Sequence, residues 1–374
     1  MKILVLCYEY PPVGGGGGRV AAVVAEELAR RGHEIRVVTA GLSHLPESEF
    51  RAGVEIIRPR SGRRREDTCT VPEMAFYLAT AFPAAMAQCL DWKPDVIHAH
   101  FAVPTGVLAL ALNVCTSIPY ALTAHLGDVP GGVPEQTRGL FRFLDPAIRP
   151  VWTQAAAVTA VSRFVANLAR VHYGIAPEVI LNGVEMASKP ATPAPVDPPR
   201  ILQVGRLSIQ KNPVLAVEAL ALLKDCAWAF EIVGDGPLAG AVREAVARHG
   251  LGDRVRMTGW LDAAEVAQRM RNASIFLMPS RSEGLPMAGI EALKTGLAIV
   301  GSRIGGLEDV VADGLNGLLC EQTPVAFAGA LRSLLENPAR LEGMRRAALI
   351  KAVDFDLAER VTDYERLLAH IAKP

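Results

Sequence analysis

The sequence predicts an α/β protein made of two Rossmann-like domains, each with a parallel sheet, and three observations predict it. Short apolar runs alternate with longer helical patterns along the whole chain, the signature of parallel strands joined by crossover helices. At 374 residues the chain is long enough for two domains with separate cores. A proline-rich stretch from Pro190 to Pro199, with Pro193, Pro195 and Pro198 inside it, divides the alternation into two similar sets. The reading is a first domain over 1–186, a linker over 187–199, a second domain over 200–355, and a C-terminal helix over 356–374 that packs back on the first domain. Two such domains are expected to face each other across a cleft, with ligands at the carboxyl ends of the strands.

Each strand is a short run of β-branched and other apolar residues. In the first half these runs are Ile3–Cys7, Ile35–Thr39, Val54–Ile57, Val96–Ala99, Tyr120–Thr123, Val158–Val161 and Val179–Leu181. In the second they are Ile201–Val204, Phe230–Val233, Val255–Thr258, Ser274–Met278, Ala298–Val300 and Gly317–Leu319. Helical patterns fit between most of them, as at Ala21–Arg31, Val214–Lys224, Leu238–His249 and Ala263–Asn272.

Charge and cysteine content exclude several classes. Basic and acidic residues balance at 17 each in residues 1–186 and 22 each in 187–374, so neither half has the basic excess of a nucleic-acid binder. Six scattered cysteines with no C-x-x-C pair favour free thiols in a reducing compartment over a disulfide frame or a zinc site. The N-terminus enters a strand and meets Glu9 too soon for a signal peptide. The apolar stretch Met74–Ala87 is too short for a comfortable membrane span. A cytoplasmic protein is the expectation.

The most informative segment is Glu283-Gly284-Leu285-Pro286-Met287-Ala288-Gly289-Ile290-Glu291, after the apolar run Ala273–Met278. Pro286 suits the first position of a helix and Gly296 the residue past its end. Glu283 then lies on the loop ahead of the helix, and Glu291 about one and a half turns inside it. Between them lies a helix N-terminus whose N–H groups and partial positive charge favour phosphate. The order of carboxylate, phosphate seat and carboxylate suits a nucleotide-sugar. Glu291 is the only charged side chain from Gly284 to Leu293. If buried it needs a partner, and either a sugar diol or a structural Arg would serve.

Other residues add chemistry of lower specificity. Gly14 to Gly18 follow the first strand, with a helix expected from near Arg19, and read either as a loop approaching a ligand or as a flexible turn. The run is neither a Walker A loop nor G-x-G-x-x-G, which disfavours a nicotinamide cofactor. Gly205-Arg206 ends a strand and Lys211 follows, so two cations stand where a diphosphate could be neutralised, or are ordinary surface charges. His125 follows the strand Tyr120–Thr123 in Thr-Ala-His-Leu-Gly-Asp, which ends in Asp128; it either meets a sugar hydroxyl or is solvated. His98 and His100 alternate and point to one face, for a structural or substrate-lining role rather than a metal site. Asp354-Phe355-Asp356 reads as helix capping rather than a metal motif. Arg58, Arg60, Arg63, Arg64 and Arg65, followed by Glu66 and Asp67, form a basic run with two readings. It is either a solvated loop before a core helix or a peripheral contact with anionic lipid at the inner face of the plasma membrane.

Together these segments resemble the family-4 retaining glycosyltransferases, which have the GT-B fold. The resemblance spans the whole chain: Gly14–Gly18, the His125 segment, Asn182-Gly183-Val184-Glu185, Gly205-Arg206 with Lys211, Gly234-Asp235-Gly236-Pro237, and Glu283 to Glu291. It implies that Arg206 and Lys211 bind the donor diphosphate, helped by the backbone of Gly284, Leu285, Pro286 and Met287. It implies that Glu291 binds the ribose, that Glu283 contacts the transferred sugar, and that His125 lies near the anomeric centre. Gly15, Gly16 and Gly17 close over the donor, Gly236 and Gly259 lie near the base, and His100 and Asp128 lie on the acceptor side. No cofactor or metal is implied; the partners are a nucleotide-sugar donor and a sugar or lipid-linked sugar acceptor, as in cell-surface polysaccharide or glycolipid synthesis. Glu185 departs from the Asp common after Asn-Gly-Val in the family. The alternatives are a nucleotide-sugar epimerase or phosphorylase of the same architecture, or a non-catalytic nucleotide-sugar-binding subunit.

Overall fold

The computed structural model describes residues 1–66, 68–133, 145–186 and 198–372, so Asp67 and most of the expected linker 187–199 lie outside the described residues. The chain divides into two compact units. One comprises Met1–Gly183 with Leu357–Pro374, and the other Val184–Asp356.

Among the described residues the first unit holds eight strands: β1 (Lys2–Cys7), β2 (Glu34–Val38), β3 (Ser48–Arg51), β4 (Val54–Ile57), β5 (Val96–His100), β6 (Tyr120–Ala124), β7 (Ala157–Ala160) and β8 (Glu178–Val179). Their order in the sheet is β3-β4-β2-β1-β5-β6-β7-β8. All pairs are parallel except β3 with β4. β3 was not evident as a strand. Its sequence Ser-Glu-Phe-Arg is mostly polar, it is a half-exposed edge, and its hairpin turn places Ala52 at φ +49°, where Asn or Gly gives the usual signal. β5 and β6 are buried at every position, as expected of a parallel strand covered on both faces.

The helix Leu357–Ile371 belongs to this unit. Arg31 donates to the Glu365 carboxylate (2.9 Å) and to the Ala358 carbonyl (2.6 Å), and His33 meets Glu365 at 2.7 Å. Tyr364, Leu367 and Leu368 on the same helix are buried. Ahead of it, Asp354 pairs with Lys351 at 2.9 Å, and the Asp356 backbone forms a bridge with Val184.

The second unit holds a six-stranded parallel sheet: β9 (Arg200–Val204), β10 (Ala229–Val233), β11 (Val255–Gly259), β12 (Ile275–Met278), β13 (Ala298–Ser302) and β14 (Gly317–Cys320). The order is β11-β10-β9-β12-β13-β14. Ile201, Phe230, Ile232, Ile275, Leu277 and Val300 pack against Phe327, Leu331 and Leu334 to form its core. All six runs expected here from the sequence are strands.

In each sheet the order reverses direction once, at β1/β5 and at β9/β12. The crevice beyond the carboxyl ends of such a strand pair is where open α/β sheets hold ligands. The residues singled out from the sequence cluster after these strands. Among the described residues, no helix is long and apolar enough to cross a membrane.

Candidate active site

In the first unit the glycine run wraps around Glu9, two residues beyond β1. Gly15 N–H donates to Glu9 Oε2 (3.1 Å), and Cys7 Sγ donates to the Glu9 carbonyl (2.9 Å). The helix begins at Gly16, not near Arg19, so three of the five glycines form its first turn. First-turn N–H groups have no intrahelical acceptor, and close packing outweighs the low helix propensity of glycine here. A Cβ on Gly17 would lie 2.5 Å from Phe101 Cζ and 3.3 Å from His125 Nδ1. Gly17 is therefore glycine because its backbone abuts the two rings.

His125 is buried rather than solvated. Its ring centroid is 4.4 Å from that of Phe101, and its Nε2 lies 3.4 Å from His100 Nδ1, which leaves Nδ1 as the ring nitrogen nearest Gly17. His98 and His100 share one side of β5, with centroids 4.3 Å apart, and His98 Nε2 meets Thr123 Oγ1 at 2.8 Å. Burial lowers the pKa of His98 to about 3 and that of His125 to about 4, so both rings are neutral at neutral pH. Asp128 holds this loop: Oδ2 accepts from His125 N–H (2.7 Å) and Oδ1 from Ala102 N–H (2.8 Å).

Burial pushes the Asp128 carboxyl up to about 7, against the backbone N–H groups that pull it down. The native state thus binds a proton more tightly than the unfolded chain, whose carboxyl titrates near its ordinary value. Stability contributed here falls as pH rises from about 4 through about 7, by up to a few kcal/mol at about 1.4 kcal/mol per pKa unit. The melting midpoint is expected to drop between pH 5 and pH 8, and Asp128→Asn to flatten that slope. An unchanged slope in the variant assigns the pH dependence to another group.

The basic run is not a continuous surface patch. The Arg58 side chain is 1% exposed and donates to Glu49 at 2.7 Å. The Arg63 side chain is 0% exposed and donates to the carbonyls of Arg65 and Glu66, both at 2.8 Å. Only Arg60, Arg64 and Arg65 of the five are exposed, beside an exposed Glu66, so the expected lipid contact through Arg58–Arg65 loses two of its charges to internal hydrogen bonds. The apolar stretch that follows forms the helix Val71–Ala87, which buries only Tyr77, Ala81 and Ala85 and is not a core helix.

In the second unit the exits of the central strands are stitched together. Gly205 N–H donates to the Val233 carbonyl (2.9 Å), Leu207 N–H to Asp235 (2.9 Å), and Gly234 N–H to Gly259 (2.8 Å). Arg206, Gly236 and Gly259 thereby share one sheet edge. Lys211 Nζ donates to Glu283 Oε1 at 2.6 Å, with side chains 28% and 6% exposed. Gln210 and the loop after β12 fix this pair: Arg281 N–H donates to the Gln210 carbonyl (2.7 Å), and Gln210 Nε2 to the Ser282 carbonyl (3.0 Å). Gly306 N–H donates to the Glu283 carbonyl (3.1 Å).

The helix after Glu283 spans Met287–Lys294, with Pro286 as its N-cap rather than its first residue and no side chain capping it. Pro286 is extended at ψ 113°, so the loop through Gly284 and Leu285 runs into the helix start without a side-chain acceptor. Glu291 is half-buried and pairs with Lys294 at 3.1 Å. Neither a buried structural Arg nor an unpaired carboxylate describes it. Among the described residues, no three His, Cys, Asp or Glu side chains converge as a metal ligand set.

Two family models match, "Glycosyltransferase Family 4" over residues 14–188 and "Glycosyl transferases group 1" over residues 185–351. A glycogen synthase of Mycobacterium tuberculosis (strain ATCC 25618 / H37Rv) is 30% identical over 385 residues, covering 95% of this chain and 91% of that protein. The chain belongs to glycosyltransferase family 4. Its fold is that of the GT-B glycosyltransferases. A sucrose-phosphate synthase from Thermosynechococcus elongatus superposes with a TM-score of 0.87 at 21% identity, over 99% of this chain and 98% of the other. Anabaena Alr3699/HepE in complex with UDP-glucose superposes with a TM-score of 0.74 at 18% identity, over 99% and 100%. Three residues of this family-4 glycosyltransferase escaped the sequence reading. Glu9, Phe101 and Arg63 are brought to the glycine loop only by tertiary packing. Glu9 did carry a signal, as the lone charge between β1 and the glycines.

Proposed function

We propose that this glycosyltransferase moves a sugar from a nucleoside-diphosphate sugar to a hydroxyl of a sugar acceptor, with retention at the anomeric carbon and without a metal. The observation that carries the reading is the Lys211–Glu283 pair at 2.6 Å, which ties the loop after β9 to the loop leading into an uncapped helix that bears Glu291. An ammonium has three donors. With one held by Glu283, Lys211 retains two for a diphosphate, while Glu283 keeps a second oxygen for a sugar hydroxyl. Arg206 adds a forked donor, and the helix start adds N–H groups. Charge growing on the departing diphosphate is then stabilised by fixed donors, the work a divalent metal does elsewhere. Glu291 hydrogen-bonds the ribose.

The UDP-glucose in the Anabaena complex supports a nucleotide-sugar donor. The names of the glycogen and sucrose-phosphate synthases support a sugar hydroxyl as acceptor. On the acceptor side His125 is neutral and works as a hydrogen-bonding group rather than a base that gains a full charge. His100 and Asp128 orient it, through its ring and its backbone. Without an enzyme base, the departing phosphate is left to take the acceptor proton on the face it leaves, which gives retention.

Proton NMR of the product tests this reading. It expects the anomeric configuration of the donor in the glycoside, at a rate that excess chelator leaves largely intact. Inverted product, or complete loss in chelator restored by manganese, contradicts it.

A further inference from the structure

We infer that Arg63 is a positioning residue for the glycine loop, an inference that rests on the loop's part in the transfer proposed above. Five observations carry it. The Arg63 side chain is fully enclosed, although it lies in a run of arginines that reads as surface. Its guanidinium makes a fork to two carbonyls, Arg65 through Nε and Glu66 through Nη2, each at 2.8 Å. The Glu66 carbonyl also accepts from Gly14 N–H at 2.7 Å, so one oxygen joins the arginine to the first glycine of the loop. Nη2 also stands 3.9 Å from Glu9 Oε1, while Oε2 of the same carboxylate holds Gly15 N–H at 3.1 Å. The guanidinium carbon also lies over the Tyr8 ring, 5.0 Å from its centroid, a cation–π contact with the residue that follows β1.

Arg63 thus reaches two successive loop amides, Gly14 through Glu66 and Gly15 through Glu9. Two residues further along, Gly17 abuts Phe101 and His125. Gly14 sits at φ +97°, and a Cβ there would lie 2.4 Å from Glu9 Cβ, so the turn that packs on Glu9 needs glycine. A lysine at position 63 would keep the charge but could not form the planar fork to two carbonyls. The loop would then lose its register on the His125 ring, and displacements of this kind reduce turnover more than they reduce folding.

The test compares Arg63→Lys and Arg63→Met with the wild-type full chain. Amide exchange at residues 13–18 is expected to rise about 10-fold or more, with β1 and β5 unchanged, as for local opening. kcat is expected to fall about 10- to 100-fold. Affinities for UDP, ADP and GDP should stay within about twofold, because Arg206 and Lys211 belong to the other unit. Unchanged loop exchange overturns the inference. So does a rise spread equally over the loop, β1 and β5, which makes Arg63 an ordinary core residue. Faster loop exchange with wild-type kcat keeps the contact but overturns the loop's role in transfer, and the inference with it. The lysine variant keeps the test decisive if the methionine variant does not fold.

Discussion

Glu283→Gln is expected to lower kcat by about 10²-fold or more while the melting midpoint barely moves, by analogy with loss of one transition-state donor. The two halves of the ion pair are not equivalent. Lys211 is 28% exposed and solvates its charge once the carboxylate is gone, whereas Glu283 is 6% exposed and has no such outlet. Lys211→Met should therefore damage both activity and folding, with a stability loss on the order of 3 kcal/mol from the uncompensated buried carboxylate. Activity and thermal unfolding measured on both variants check this asymmetry. Near-wild-type turnover in Glu283→Gln removes that residue from the site. Equal stability losses in the two variants contradict the burial argument.

Gly17→Ala is expected to reduce kcat about 10²-fold from one added methyl group, since displacements of about 1 Å near a reacting centre cost that much. The methyl would lie 2.5 Å from Phe101 Cζ, inside contact distance, and 3.3 Å from His125 Nδ1. Phe101 must move, and the ring it packs on is His125. Combining the change with Phe101→Leu removes the clashing ring carbons and should recover part of the loss. Full activity in Gly17→Ala shows that the His125 placement tolerates this shift, and an impaired double variant no better than the single shows that the loss does not come from the Phe101 clash.

The fold was legible in the sequence because parallel strands covered on both faces must be continuous apolar runs, and twelve of the thirteen expected runs are strands in the structure, while Val179–Leu181 meets the short exposed edge strand β8 only at Val179. β3, which no such run marks, is the other outer edge of that sheet, and Ser-Glu-Phe-Arg has no buried face to give it a pattern. The candidate site in the second unit was legible for a related reason. Glu283 to Glu291 is a single local segment, so its loop and helix carry their own signal.

The first unit's candidate site was only half legible. Glycines and His125 stand out by type, but what makes them a site is the sheet order that sets β1 beside β5, and order leaves no mark on local pattern. Arg63 shows the limit most plainly. Five arginines in eight positions read as one basic run, yet two are buried and hydrogen-bonded. Only long-range contacts distinguish Arg63, enclosed behind Glu9, from Arg64, exposed beside it.

The most direct measurement of the central claim is nucleoside-diphosphate release from a panel of nucleotide-sugars, with and without sugar acceptors, for the wild type and Arg206→Ala. The wild type is expected to release diphosphate in step with glycoside formation and with a strong dependence on acceptor. Arg206→Ala is expected to lose about 10²-fold or more of that rate. Donor converted to another nucleotide-sugar with no acceptor present would instead make the protein an epimerase. No release, with no binding of any nucleoside diphosphate, would contradict the account outright.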